Sequence, residues 1–262
     1  MKQDLERAAE GHQPRVDDRA PDQRPPGFGW RRLQVLAAVG VLGSLLVPML
    51  IQLSLEPFVL AMAAPIAIGL LVMLRWPRVG AIWLGVSSLG LLLFSAPFLA
   101  EALTHPESLA DFIPLTIFAV SILVGTVAAI PSFRRGRGPD AASRLARAIA
   151  VGAGVIIVAG VLVSTVTAAR IESVRAQAGD IQVVAEDFRF RPAGFEAESG
   201  TISVHVTNGD DTRHTFTIDE LGVDLNVPPN SMQRVSFEAN PGTYNFYCRP
   251  HAPGMAGVLV VR

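Results

Sequence analysis

The stretch Tyr244-Asn245-Phe246-Tyr247-Cys248-Arg249-Pro250-His251-Ala252-Pro253-Gly254-Met255-Ala256-Gly257 decides the reading of this chain. It brings the only cysteine, Cys248, together with His251 three residues on and Met255 four beyond that, and it runs directly into the apolar residues 258–261. A thiolate, an imidazole and a thioether within eight residues make a soft donor set. Such donors select copper over Mg, Ca or Mn, which take hard oxygen ligands, and zinc sites rarely use a thioether. Each residue taken alone reads as a buried cysteine, a loop histidine or a core methionine; the constellation in one turn between strand-like runs is what points to a metal. A trigonal copper site needs a second histidine from elsewhere, and five histidines are available.

Period two in the neighbouring runs selects among them. In Thr212-Arg213-His214-Thr215-Phe216-Thr217-Ile218, His214 shares a face with Phe216 and Ile218, which directs it to the core. The same count groups Cys248 with Tyr244 and Phe246. His205 alternates out of step with Ile202, Val204 and Val206 and reads as a solvated strand residue. His12, in a polar tail, and His105, in a short loop, read as unconnected with metal.

Residues 181–262 resemble the cupredoxins, the plastocyanin and amicyanin group of type 1 blue-copper proteins. The resemblance rests on the opening run Ile181-Gln182-Val183-Val184, the segment Phe188-Arg189-Phe190-Arg191-Pro192, the Gly200-Thr201 turn, and the Asn208-Gly209-Asp210-Asp211 loop before His214. Pro241-Gly242-Thr243-Tyr244 before the cysteine and Met255-Ala256-Gly257 after it match as well. It implies an all-β Greek-key sandwich holding one copper that cycles between Cu(I) and Cu(II), with His214, Cys248 and His251 equatorial and Met255 axial. Two features depart from the pattern. Three residues separate His251 from Met255, between the two of amicyanins and the four of plastocyanins, and Thr215 follows the first histidine where Asn is frequent. Thr215 and Pro250 are therefore the expected supports of the ligand loops, and such outer contacts tune a metal site.

Across its 262 residues the chain is 50% hydrophobic and only 17% charged, too apolar for one water-soluble domain. Residues 1–29 mix both charges with Pro and Gly and are expected to be a disordered cytoplasmic tail. So long a polar stretch ahead of the first apolar run argues against a cleaved leader. Five apolar runs follow, at about 33–53, 58–74, 79–100, 112–131 and 148–169, each near the ~20 residues that cross a bilayer core. They place a five-span transmembrane domain at residues 30–169. Arg31, Arg32, Arg75, Arg78, Arg134, Arg135, Arg137, Arg144 and Arg147 lie on one side of these spans, whereas residues 54–57 and 101–111 carry no Lys or Arg. The positive-inside rule then puts the N-terminus in the cytoplasm and the C-terminal domain outside, against the minor contrary signal of Arg170 and Arg175. No ionisable side chain interrupts the spans, so neither a proton path nor a haem ligand is apparent in them.

Residues 170–180 read as a linker to strands expected at 181–190, 201–207, 213–219, 232–238, 243–248 and 257–262. The expectation is a membrane-anchored electron carrier with no substrate chemistry of its own, a redox protein as partner, the lipid bilayer as surroundings and no nucleic acid. A His2Cys plane with a weak axial Met leaves no open position for a substrate. The edge of His251 with the small, uncharged Ala252 and Pro253 is the expected electron-transfer surface. Alternatives are a protein that stores, delivers or senses copper, and a chain whose bundle is active while its β domain binds without metal. A single Cys excludes a two-cysteine binuclear copper site and any internal disulfide.

Overall fold

The computed structural model describes residues 28–51, 53, 55–135 and 143–262. The expected disordered tail lies outside the described residues, apart from its last two positions. Five helices, α1 (Trp30–Ile51), α2 (Pro57–Arg75), α3 (Pro77–Leu103), α4 (Leu109–Arg135) and α5 (Arg144–Ala168), are long and apolar enough to cross a membrane. Proline at the first position of α2 and α3 starts each helix where its missing N–H costs nothing. α3 packs on α4 at Gly85, where a side chain would collide with Ala129. Backbone carbonyls hold some of the polar groups inside the bundle, as in the 2.9 Å bond from Gln34 Nε2 to Ala81 O and the 2.8 Å bond from Ser44 Oγ to Val41 O. α5 packs on α4 through a narrow face, with Gly160 against Thr116 and only Ala146 and Ser164 buried. Both α3 and α4 run past the expected span limits, so the loop joining them shrinks to residues 104–108.

The rest is a sandwich of two sheets. One has the strand order β2-β1-β4-β7 and the other β3-β9-β8-β5-β6, with β1 (Ile181–Glu186), β2 (Arg189–Arg191), β3 (Gly194–Ala197), β4 (Gly200–Asn208), β5 (His214–Ile218), β6 (Val223–Val227), β7 (Met232–Ala239), β8 (Gly242–Tyr247) and β9 (Ala256–Val261). β1 pairs with β4, and β3 with β9, in parallel; the other pairings are antiparallel. Between the sheets Phe246 meets Phe190, Phe195 and Phe216 with ring centroids 5.0–5.3 Å apart. Gly257 is required beside it, because a side chain there would enter the Phe246 ring and the Ala193 carbonyl.

Three expectations need correction. The strand expected over 181–190 is broken by Asp187 and Phe188, whose φ of 54° and 56° turn the chain left-handed. β3 and β6, short strands in stretches without clear alternation, were not expected at all. His205 is not solvated: it is 2% exposed, its Nδ1 lies 3.0 Å from Gln182 Oε1 and its Nε2 2.9 Å from Val174 O. The cover is residues 170–180, which cross the face of β4 and β7 without forming a strand. There Val174 N donates to Met232 O at 2.8 Å, Gln233 Nε2 to Glu172 O at 2.9 Å, and Asp180 pairs with Arg234.

Candidate metal centre

The site lies where β5 begins and β8 ends. Cys248 leaves β8 into a single 3-10 turn, Arg249–His251, with Pro250 at its second position. Three backbone bonds close the loop: His251 N to Cys248 O at 3.2 Å, Met255 N to His251 O at 3.1 Å and Cys248 N to Met255 O at 3.0 Å. They bring Cys248 and His251 onto His214, the first residue of β5, and keep Met255 buried in the same loop. Cys248 and His214 are 0% exposed and Met255 1%, whereas His251 keeps an accessible edge.

The three donor atoms form a nearly equilateral triangle. Cys248 Sγ lies 3.5 Å from His214 Nδ1 and 3.3 Å from His251 Nδ1, and the two Nδ1 atoms are 3.2 Å apart. A point equidistant from all three is about 1.9 Å from each, close to the ~2.0–2.3 Å bonds that imidazole and thiolate make to a first-row metal. The donor set thus fits a blue-copper ion by chemistry and by size. Burial and the neighbouring His214 push the imidazolium pKa of His251 down to about 4, which leaves the ring neutral and able to coordinate. Burial also raises the Cys248 thiol, despite hydrogen bonds from Thr215 and His251 that favour its thiolate. A bound cation opposes that burial cost.

Around this triangle the structure adds residues that the sequence did not single out as parts of the site. Asp210 Oδ2 lies 2.8 Å from His214 Nε2, so the ring donates there and leaves Nδ1 to the metal. Asp210 also accepts from Asp187 N at 3.0 Å and Phe188 N at 3.3 Å, holding the left-handed turn. That turn sets the Phe188 ring edge-on to both histidines, 5.9 Å from His214 and 4.8 Å from His251. Asn208 shapes the intervening loop by donating to Thr212 O, Val227 O and Pro228 O. The available signal was an aspartate four residues before the inward histidine. Thr215 joins the ligand loops: its N–H points at Cys248 Sγ at 3.4 Å, and its hydroxyl accepts from Arg249 N at 2.9 Å. Pro250, on the exposed side of the turn, faces the bundle beside His251.

This end of the sandwich rests on the α3–α4 junction. Arg213, next to His214 and only 7% exposed, pairs with Glu101 and donates from Nη1 to Asn226 Oδ1 at 3.2 Å and from its backbone N–H to Asp111 Oδ2 at 3.4 Å. Asn226 Nδ2 donates to Glu107 Oε1 at 3.2 Å. The His251 edge therefore opens onto a cavity of about 210 Å³ shared with the bundle, and His105, read from sequence as a plain loop residue, lines it. Ala252 and Pro253 remain exposed alongside.

The family described as "Cupredoxin-like domain" matches residues 154–261. This part of the chain carries a cupredoxin-like domain. The match begins within α5, and the cupredoxin strands themselves start at Ile181. Among solved structures, a reduced single-site mutant of amicyanin matches with 20% identity, covering 34% of this chain and 87% of that one at a TM-score of 0.30. The metal-binding domain of the Streptococcus pneumoniae Cu(I) exporting P-type ATPase CopA matches with 16% identity, 34% and 93% coverage, and a TM-score of 0.30. A Cu-containing nitrite reductase from Thermus scotoductus matches with 23% identity, 36% and 25% coverage, and a TM-score of 0.26. Among curated proteins none matches the chain.

Proposed function

We propose that the chain is a membrane-anchored blue-copper protein that carries single electrons, its cupredoxin domain on the extracytoplasmic face. The observation that carries this reading is the triangle of His214 Nδ1, Cys248 Sγ and His251 Nδ1, with Met255 buried in the same ligand loop. His214, Cys248, His251 and Met255 would hold one copper. Bound there, copper supplies a Cu(I)/Cu(II) couple. The protein contributes constancy. His214 is locked by Asp210, Cys248 by Thr215 N–H, and the ligand loop by its own backbone bonds, so the donors need move little between oxidation states. Four protein ligands leave no position for a substrate, which favours transfer over catalysis. Arginine placement supports the extracytoplasmic side, since the β domain follows the fifth span on the arginine-poor face.

The test is copper reconstitution of the purified chain. One copper per chain, an intense thiolate-to-copper absorption and a reversible one-electron wave are expected, with the colour lost in Cys248→Ser. A colourless copper complex of the folded wild type would overturn the reading. Reporter fusions after Arg78 and after Ala169 should report opposite sides of the membrane; identical readouts would remove the assigned topology.

A further inference from the structure

The membrane domain builds a chamber over the one ligand that is not fully buried. Of the four proposed ligands only His251 has an accessible edge, and that edge lines the cavity of about 210 Å³ between sandwich and bundle. A cavity below the ~300 Å³ at which drug-sized pockets begin admits a single substituted ring, not a protein side chain with its backbone. Phe98, Ala102, Leu115 and Pro250 give it apolar walls.

Its polar lining carries two carboxylates, one of which, Asp111, also accepts from the Ser108 hydroxyl at its Oδ2 and keeps Oδ1 for a further donor. Asp111 and Glu101 face in from α4 and α3, and His105 stands between Glu101 and Glu107, its Nε2 3.6 Å from the first and its Nδ1 3.3 Å from the second. The one cation, Arg213, is already engaged by Glu101 and Asn226. Such a lining repels anions and welcomes a neutral molecule that donates hydroxyl protons.

The approach to the cavity is aromatic and faces outward from the bundle. Phe58, Phe94 and Phe98 are 59%, 53% and 63% exposed on apolar helices, with ring centroids 6.0 Å and 6.4 Å apart in succession, and the last is part of the cavity wall. Aromatic side chains in such a row offer stacking faces to a planar ring arriving from the lipid.

We propose that this cavity binds the head of a lipid-soluble hydroquinone, which gives its electrons to the copper through His251. The proposal rests on the electron-carrier reading above. Hydroquinone becomes quinone by losing two electrons and two protons. The two hydroxyl protons pass to Asp111 and His105 and on to water. The electrons leave one at a time through the His251 ring, each reducing one copper(II) to copper(I), and a one-electron acceptor protein reoxidises the site between them.

The experiment uses the full chain in lipid nanodiscs and a decyl-substituted benzoquinone with its hydroquinone as probes. Binding of the quinone is measured calorimetrically on the copper-free chain, and reduction by the hydroquinone is followed as bleaching of the blue band on the copper-loaded chain. Ala102→Trp, which fills the cavity, and Phe98→Ala, a lipid-side change that leaves the core intact, should each weaken binding and slow bleaching by about tenfold or more, the effect of losing one good stacking or packing contact. The blue absorption and the reduction potential should not change. Absence of quinone binding to the wild type, or equal bleaching rates in wild type and both variants, would overturn the proposal. Because binding is read without copper, failure of the cavity and failure of the copper reading are told apart.

Discussion

Asp210 concentrates three tasks in one carboxylate. It accepts a hydrogen bond from Nε2–H of His214 and caps the N–H groups of Asp187 and Phe188, so the orientation of a ligand ring and of the Phe188 ring edge-on to it depend on the same side chain. Burial raises its pKa, but the His214 bond and the two backbone donors outweigh that, and the carboxyl is held below the ordinary range. Removing a metal ligand's outer partner typically costs about 10–100-fold in affinity. Asp210→Ala should therefore weaken copper binding by about that factor in a competition titration while keeping the blue band, and Asp210→Asn, whose amide oxygen still accepts, should recover part of the loss. Wild-type affinity in Asp210→Ala would reduce the residue to a turn former. Of the four proposed ligands, His214 and Cys248 stood out because their period directs them inside, and His251 and Met255 because their chemistry beside the only cysteine is rare. Asp210 was visible only as part of an acidic loop, since alternation along a strand says nothing about which loop carboxylate folds back on it. His205 was misread for a related reason. Period two places it correctly on the face away from Val204 and Val206, but it cannot know that another segment covers that face.

That segment, residues 170–180, is the element whose role changes most between sequence and structure. Its composition reads as a spacer, yet it contributes a backbone bond from Val174 N–H to Met232 O, the Glu172 carbonyl that accepts from Gln233 Nε2, a Ser173 hydroxyl for Met232 N–H, and the carbonyl that pairs with His205. The long helices were legible to within a few residues, and the β-sandwich as a class, because apolar run length and alternation are strong signals. β3 and β6 were missed because edge strands of four and five residues carry too few side chains to show a period. A fragment of residues 170–262 should accordingly be more stable than one of 178–262. Each intramolecular hydrogen bond is worth about 1 kcal/mol net, and buried His205 would lose a partner, so a difference of roughly 2–4 kcal/mol is expected. Urea midpoints of the two fragments would measure it. Equal midpoints would show that the segment is laid on the sheet without stabilising it.

At the scale of the whole molecule, the bundle and the sandwich meet at the end that holds the proposed metal site. Arg213 makes this possible. It directly precedes a proposed ligand, it is nearly buried, and its partners Glu101 and Asp111 belong to the two helices below. A buried cation deprived of its carboxylate is costly, so the contact persists only while its partners remain. The expected exchange surface at His251, Ala252 and Pro253 is thereby divided. The two small residues face outward, and the ring edge that would pass the electron faces the bundle. Glu101→Gln combined with Asp111→Asn keeps the shape of the junction and removes both charges opposite Arg213, leaving the four proposed ligands untouched. If docking limits access to His251, this double variant should exchange electrons several-fold faster than wild type with a bulky, water-soluble one-electron reagent in stopped-flow measurements, with copper content and colour unchanged. The wild type should approach the variant as salt rises, because the part of the contact that lies near solvent is screened over about a Debye length, ~8 Å at physiological ionic strength. An unchanged rate in the variant would mean that the electron already leaves by a path that bypasses the junction, and Ala252→Glu would then be the variant to slow it.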